Sequence, residues 1–241
     1  MKSFVIFGMG RTGSTLLSSL LNSHPLICCE DEVFHTSRWR SYKRPMGYLW
    51  QHYPWPYLTY RRLRAKRLQH KAIYGFKLHT KLYHQQVAQP AQFLGRAAHS
   101  GWKIIHLERN VLFDQVISSL TANATRRYFG HNQVNEPTVQ LHIPVDKFAK
   151  QLDLTIITCR RNREFLADLP HLSICYESHL ADATSWPSTI AYICDYLSIP
   201  TVSTVKSDVM KPWRRPYAEI VVNYPELHAC YQSYALLNPE I

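Results

Sequence analysis

Between Val33 and Leu107 there is not one aspartate or glutamate, although fourteen lysines and arginines fall there. Over all 241 residues, 28 Lys and Arg stand against 17 Asp and Glu, a formal net charge of +11. Outside the acid-free block the remaining fourteen bases face all seventeen acids, a net of −3. The positive field therefore belongs to one segment, and it favours an anionic ligand, acceptor or surface. No run of 18 apolar residues is present, so nothing reads as a membrane span, although peripheral contact with a membrane is left open. Only Lys2 precedes a short apolar run that Gly8-Met9-Gly10-Arg11 interrupts, a pattern unlike a signal peptide. A cytoplasmic location is the expectation. The six cysteines form no CxxC pair and no Cys/His ligand spacing, which argues against a zinc site or a disulfide framework. They read as small buried apolar residues. No repeat, low-complexity tract or linker divides the chain, so residues 1–241 read as one domain. No RNA-binding motif accompanies the basic block, and nucleic acid is not an expected partner.

Apolar residues make up 46% of the chain and aromatics 12%, enough for a buried core. Ser3–Phe7, Ile73–Leu78, Lys103–Leu107 and Leu172–Tyr176 read as short buried strands. Helical spacing follows Ser14 and recurs over Tyr57–His70, Gln85–His99, Leu112–Arg127, Asp146–Leu169 and Ser188–Leu197. Strands alternating with helices predict an α/β fold: a P-loop-like parallel sheet with helices on both faces. Ligands of such sheets bind at the carboxyl ends of the strands.

Phe7-Gly8-Met9-Gly10-Arg11-Thr12-Gly13-Ser14-Thr15-Leu16 joins the first strand to the first helix. Its glycines allow a tight turn with inward N–H groups, and the helix start adds free donors, an arrangement suited to a phosphate or sulfate group. Gly8-x4-Gly13 has the spacing of a nucleoside-triphosphate P-loop, but Ser14 stands where that loop carries lysine. The cation is Arg11 instead.

Arg11-Thr12-Gly13-Ser14-Thr15-Leu16 resembles the 5′-phosphosulfate loop of the sulfotransferases that use 3′-phosphoadenosine 5′-phosphosulfate (PAPS), matching [RK]-[ST]-G-[ST]-[ST]-[LW] throughout. That family also carries a strand ending in Arg followed by a helical Ser, which together hold the 3′-phosphate. Arg109 and Ser118 fit these places, nine residues apart where eight is commonest, with Ser119 as the alternative. Cys175-Tyr176-Glu177 is similar to the segment whose tyrosine lies near the adenine, which gives Tyr176 that role. The basic run Met210–Arg215 suggests one more contact to the nucleotide.

The resemblance implies in-line sulfuryl transfer from PAPS, with 3′-phosphoadenosine 5′-phosphate (PAP) as product and no metal required. Arg11, the loop amides and the helix N-terminus would neutralise the leaving phosphate. Glu32, in Glu32-Val33-Phe34, resembles the catalytic carboxylate of the bacterial and carbohydrate-type branch, with Glu30 second. A histidine base, as in the branch acting on phenols and steroids, keeps His79 and His35 in view. Cationic walls would lower the pKa of Glu32, and burial beside Val33 and Phe34 would raise it.

Eight of the thirty Trp, Tyr and Phe residues lie between Trp39 and Tyr60, interleaved with bases. They suit either a helical cap on the core or a lid over residues 33–71. The expected acceptor is a hydroxyl or amine on a polar small molecule, sugar or glycolipid, anionic acceptors included. Rival readings are a P-loop small-molecule kinase and a non-enzymatic binder of polyanions or anionic membranes.

Overall fold

Five strands lie side by side in one sheet: β1 (Lys2–Met9), β2 (Ile27–Glu30), β3 (Ile73–Thr80), β4 (Lys103–Glu108) and β5 (His171–Cys175). Their spatial order is β2-β3-β1-β4-β5, and every pairing is parallel. The structure is a computed structural model that describes residues 1–35, 44–81, 86–128, 139–209, 213 and 215–237. Ten α-helices complete these residues: α1 (Ser14–Asn22), α2 (Arg44–His52), α3 (Pro54–Gln69), α4 (Pro90–His99), α5 (Leu112–Thr125), α6 (Val145–Leu166), α7 (Tyr176–His179), α8 (Trp186–Leu197), α9 (Tyr217–Ile220) and α10 (Tyr224–Leu237).

Period-two alternation along β1 divides the core. Phe4 and Ile6 pack with Leu17, Leu20 and Leu21 of α1 and with Ile190 and Ile193 of α8. Val5 and Phe7 face the other way, with Leu58 of α3, Phe93 and Leu94 of α4 and Trp102. Both faces of β1 are thus dry, as a central parallel strand requires. A third cluster joins Phe113, Val116 and Ile117 of α5 to Phe148 and Leu152 of α6 and Leu227 of α10. No helix among the described residues is long and apolar enough to cross a membrane.

The expected α/β fold is present, and the five helical patterns emerge as α3, α4, α5, α6 and α8 with shifted ends. Proline sets the starts of α3 and α4, since Pro54 and Pro90 occupy first-turn positions where a missing N–H costs nothing. The short strand β2 was not anticipated: Ile27-Cys28-Cys29-Glu30 is too brief to show a period, and only its pairing with β3 defines it.

Because all strands are parallel, the segments that follow them emerge at one edge. Sheet growth also reverses at β1, which lies between β3 and β4. That is where open α/β sheets form a ligand crevice.

Candidate active site

The loop from Met9 to Gly13 fills the centre of that edge. Gly8 permits it: a Cβ there would lie 2.3 Å from the Leu107 carbonyl oxygen on β4. Buried Thr12 donates its hydroxyl to the Met9 carbonyl at 2.9 Å, and Gln115 of α5 donates to the Gly10 carbonyl at 2.9 Å. Gly13, with φ +84°, caps α1 in the left-handed region. A Cβ there would also meet the Tyr176 ring at 2.6 Å. Gly13→Ala should therefore cost about 1–3 kcal/mol, measured as a lower urea midpoint, because backbone strain and a ring clash coincide.

Arg11, also at positive φ (+67°), sends its guanidinium towards α5. Its Nε donates to Ser118 Oγ at 2.9 Å, and its Nη1 to the Tyr128 carbonyl. Burial lowers its pKa from the ordinary value, and contact with Tyr217 of α9 offsets part of that shift. Arg109, just past β4, donates Nη1 to the Arg11 carbonyl at 3.4 Å and Nη2 to Asp114 at 3.1 Å. Its guanidinium lies over the Tyr176 ring, 4.8 Å from the centroid. Its buried Nε approaches Glu177 to 3.4 Å without a hydrogen bond. Glu177 in turn accepts from the backbone N–H groups of Asn110 and Val111 at 2.9 and 3.1 Å, which fixes the turn behind Arg109.

Arg11, Arg109, Ser118 and Tyr176 are thus gathered beside the loop, and Ser118 rather than Ser119 faces Arg11. The sequence reading set Arg11 and Arg109 at opposite ends of a ligand. The structure brings the two residues into contact, with Arg109 donating to the Arg11 carbonyl, while the Arg11 side chain, on a residue of positive φ, reaches Ser118 of α5. Of the basic run Met210–Arg215, residues 210–212 and 214 lie outside the described residues. Trp213 is buried against the guanidinium of Arg127, 4.9 Å from the ring centroid.

The cation on the other side of the loop comes from β3. Lys77, only 3% exposed, reaches Thr15 Oγ1 at 3.1 Å and Asp31 at 2.7 Å. Two residues on, and therefore on the same face of β3, His79 brings Nε2 to 2.8 Å from Ser14 Oγ. Its Nδ1 lies 2.9 Å from Glu32, whose other oxygen accepts from Gln86 at 2.7 Å. A neutral imidazole that donates from Nδ1 to the carboxylate leaves Nε2 as an acceptor facing Ser14. Lys77 was not singled out in the sequence. Its signal was the pair of polar residues, Lys77 and His79, ending an otherwise apolar strand.

Both influences expected at Glu32 operate. Burial pushes its pKa up, but the hydrogen bond and charge of His79, with Lys77 and His35, outweigh it and hold the carboxyl down at about 2. Because the folded value lies below the ordinary 4.5, this stabilisation is complete above about pH 4.5 and is lost as the pH falls towards 2. Urea midpoints followed across that window should fall, and Glu32→Gln should flatten the fall. Glu30 is engaged elsewhere. Arg61 grips both its oxygens and the Tyr74 hydroxyl donates to it at 2.7 Å, a structural tie between β2, β3 and α3.

A groove of about 970 Å³ opens between the start of α3 and the start of α4, lined in part by Gln51, His52, Trp55, Gln89, Gln92 and Arg96. Its wall is tied by hydrogen bonds to the segment that follows Glu32. Gln51 donates to the Phe34 carbonyl at 3.0 Å and accepts from the Ala88 N–H at 3.0 Å, while neighbouring Gln86 holds Glu32.

One edge of the α/β sheet thus gathers a glycine turn, a buried lysine, two arginines and a carboxylate–imidazole pair in a P-loop-like arrangement. The sulfotransferase family model matches residues 3–203, and the chain belongs to that family. No individual curated protein matches the sequence closely enough for comparison. Tyr217, which borders Arg11, lies beyond the matched residues.

Proposed function

We propose that the chain moves a sulfuryl group from PAPS to a hydroxyl on a polar, sugar-like acceptor. One observation carries this reading: His79, held by Glu32, faces the first turn of an anion loop beside buried Lys77. Bound PAPS supplies an electrophilic sulfur and a phosphate leaving group.

Arg109, Ser118 and Arg11 hold the 3′-phosphate, and the unbonded Nε of buried Arg109 suits an added anionic oxygen. Tyr176 lies along the adenine. The amides of Gly13, Ser14, Thr15 and Leu16, with the hydroxyls of Ser14 and Thr15, receive the phosphosulfate, while Thr12 braces the loop through the Met9 carbonyl. Lys77 stabilises charge developing on the leaving oxygen, a role that positioned cations fulfil in the related phosphoryl transfers.

The base is the Glu32–His79 pair. His79, whose Nε2 is the ring atom facing the loop, takes the acceptor proton, and Glu32 at its Nδ1 fixes the tautomer and stabilises the imidazolium. The acceptor enters through the Trp55 groove, whose amide and aromatic lining suits a polyhydroxyl ligand. A cytoplasmic location belongs to this reading and is supported by six free cysteines.

A thermal-shift comparison tests it. PAP should raise the melting temperature without added magnesium, while ATP and NAD should not. A shift with ATP and magnesium but none with PAP would favour the kinase reading.

A second reading has one observation in its favour: Ser14, His79 and Glu32 follow the hydrogen-bond order of a hydrolase triad. Labelling of Ser14 by a fluorophosphonate would support it. Failure to label, together with a PAP shift, supports sulfuryl transfer.

A further inference from the structure

Seven of the fourteen exposed large apolar side chains among the described residues fall between Met46 and Leu68, on α2, α3 and the turn joining them. On α3 the inward face carries Leu58 and Ala65, 1% and 3% exposed. Tyr60, Leu63 and Leu68 turn outward instead, at 57%, 47% and 71%. Beside them Arg64, Lys66 and Arg67 are exposed and make no ion pair among the described residues. On α2, Tyr48 is 66% exposed.

Neither helix carries a carboxylate, since both lie inside the acid-free block. Contiguous apolar side chains on a surface mark a contact site, and unopposed cations beside them call for an anionic partner. A second copy docking through the same face would set cations against cations. Tyrosine rings sit at the head-group level of a bilayer, and arginine and lysine beside them meet the phosphates of anionic lipid.

We propose that the outward face of α2 and α3 docks the protein on an anionic lipid bilayer, with Tyr48, Tyr60, Leu63 and Leu68 entering the head-group layer and Arg64, Lys66 and Arg67 against lipid phosphates. The contact is peripheral, as no described helix is long and apolar enough to span. The Trp55 groove begins at the N-terminal end of α3 and shares Thr59 with that helix, so it opens beside the docking face. The inference does not depend on the reaction assigned to the site.

Sedimentation with lipid vesicles tests it. The full chain should pellet with phosphatidylcholine–phosphatidylglycerol vesicles, not with pure phosphatidylcholine, and raised salt should release it. The triple variant Arg64→Glu/Lys66→Glu/Arg67→Glu should weaken partitioning by about 100-fold, from a contribution of about 1 kcal/mol per base. A separate triple, Tyr60→Ser/Leu63→Ser/Leu68→Ser, should weaken it at least about tenfold. All six positions are exposed, so parent-like melting is expected of both variants. Absence of pelleting, or equal pelleting on neutral vesicles, overturns the proposal. So does parent-like partitioning of either triple. An unaffected apolar triple would make the face a simple polycation for a soluble polyanion.

Discussion

Glu32→Gln and His79→Ala should each slow sulfuryl transfer by about 10²-fold or more while leaving PAP affinity near that of the parent, the usual scale for removing a general base. The reason is geometric. Nδ1 of His79 is 2.9 Å from Glu32, and Nε2 is the ring atom turned towards the phosphate loop. Glutamine at position 32 keeps the size of the side chain but removes the charge that steadies an imidazolium. Residues acting as one unit lose their effect together, so the double variant should be little slower than His79→Ala alone. PAP release with a panel of hydroxyl sugars as acceptors would supply the rates. Additive losses would mean that the two side chains act separately. Glu30→Gln is the control: it should lower the melting temperature by loosening Arg61 and Tyr74 but leave turnover per folded molecule unchanged.

The second large effect is expected at Arg109. Arg109→Ala should weaken PAP binding by about 100-fold or more, since under the proposed reading it removes the charge-assisted contact of Nε with the 3′-phosphate. Arg109→Lys should recover only part of the loss, because an ammonium lacks the delocalised guanidinium that lies over the Tyr176 ring. Arg11→Ala should act in the same direction, as it removes the guanidinium that reaches Ser118. Calorimetric titration of each variant would measure these losses, and unchanged affinity in both would remove the assigned pocket.

What could be read from the chain alone was what is local. Arg11 to Leu16 is a contiguous loop whose residue types state its chemistry, and α1 follows from the spacing of Leu17, Leu20 and Leu21. Arg109 and Ser118 were within reach because a strand end and the next helix are joined by a short turn. Lys77 and the Glu32–His79 pair were harder, since they depend on register. Gly8 pairs with His79 and Ile6 with Lys77 across β1 and β3, an alignment of residues about seventy apart that no local pattern encodes. Likewise, the opposing pulls on Glu32 were foreseeable, but their balance depends on His79 being 2.9 Å away. The contact of Tyr217 with Arg11 spans more than two hundred residues and carries no motif. The expected lid over residues 33–71 is described only in part, and there α3 packs on the sheet through Leu58 while keeping a second apolar face outward.

The central claim is that one pocket, built from Arg109, Ser118 and Arg11, recognises a 3′-phosphate. It is tested most directly by titrating the parent, without magnesium, with PAP and with adenosine 5′-phosphate, which differ only in that group. One PAP should bind per chain, and adenosine 5′-phosphate should bind at least about 100-fold more weakly. Equal affinity for the two nucleotides would contradict the claim.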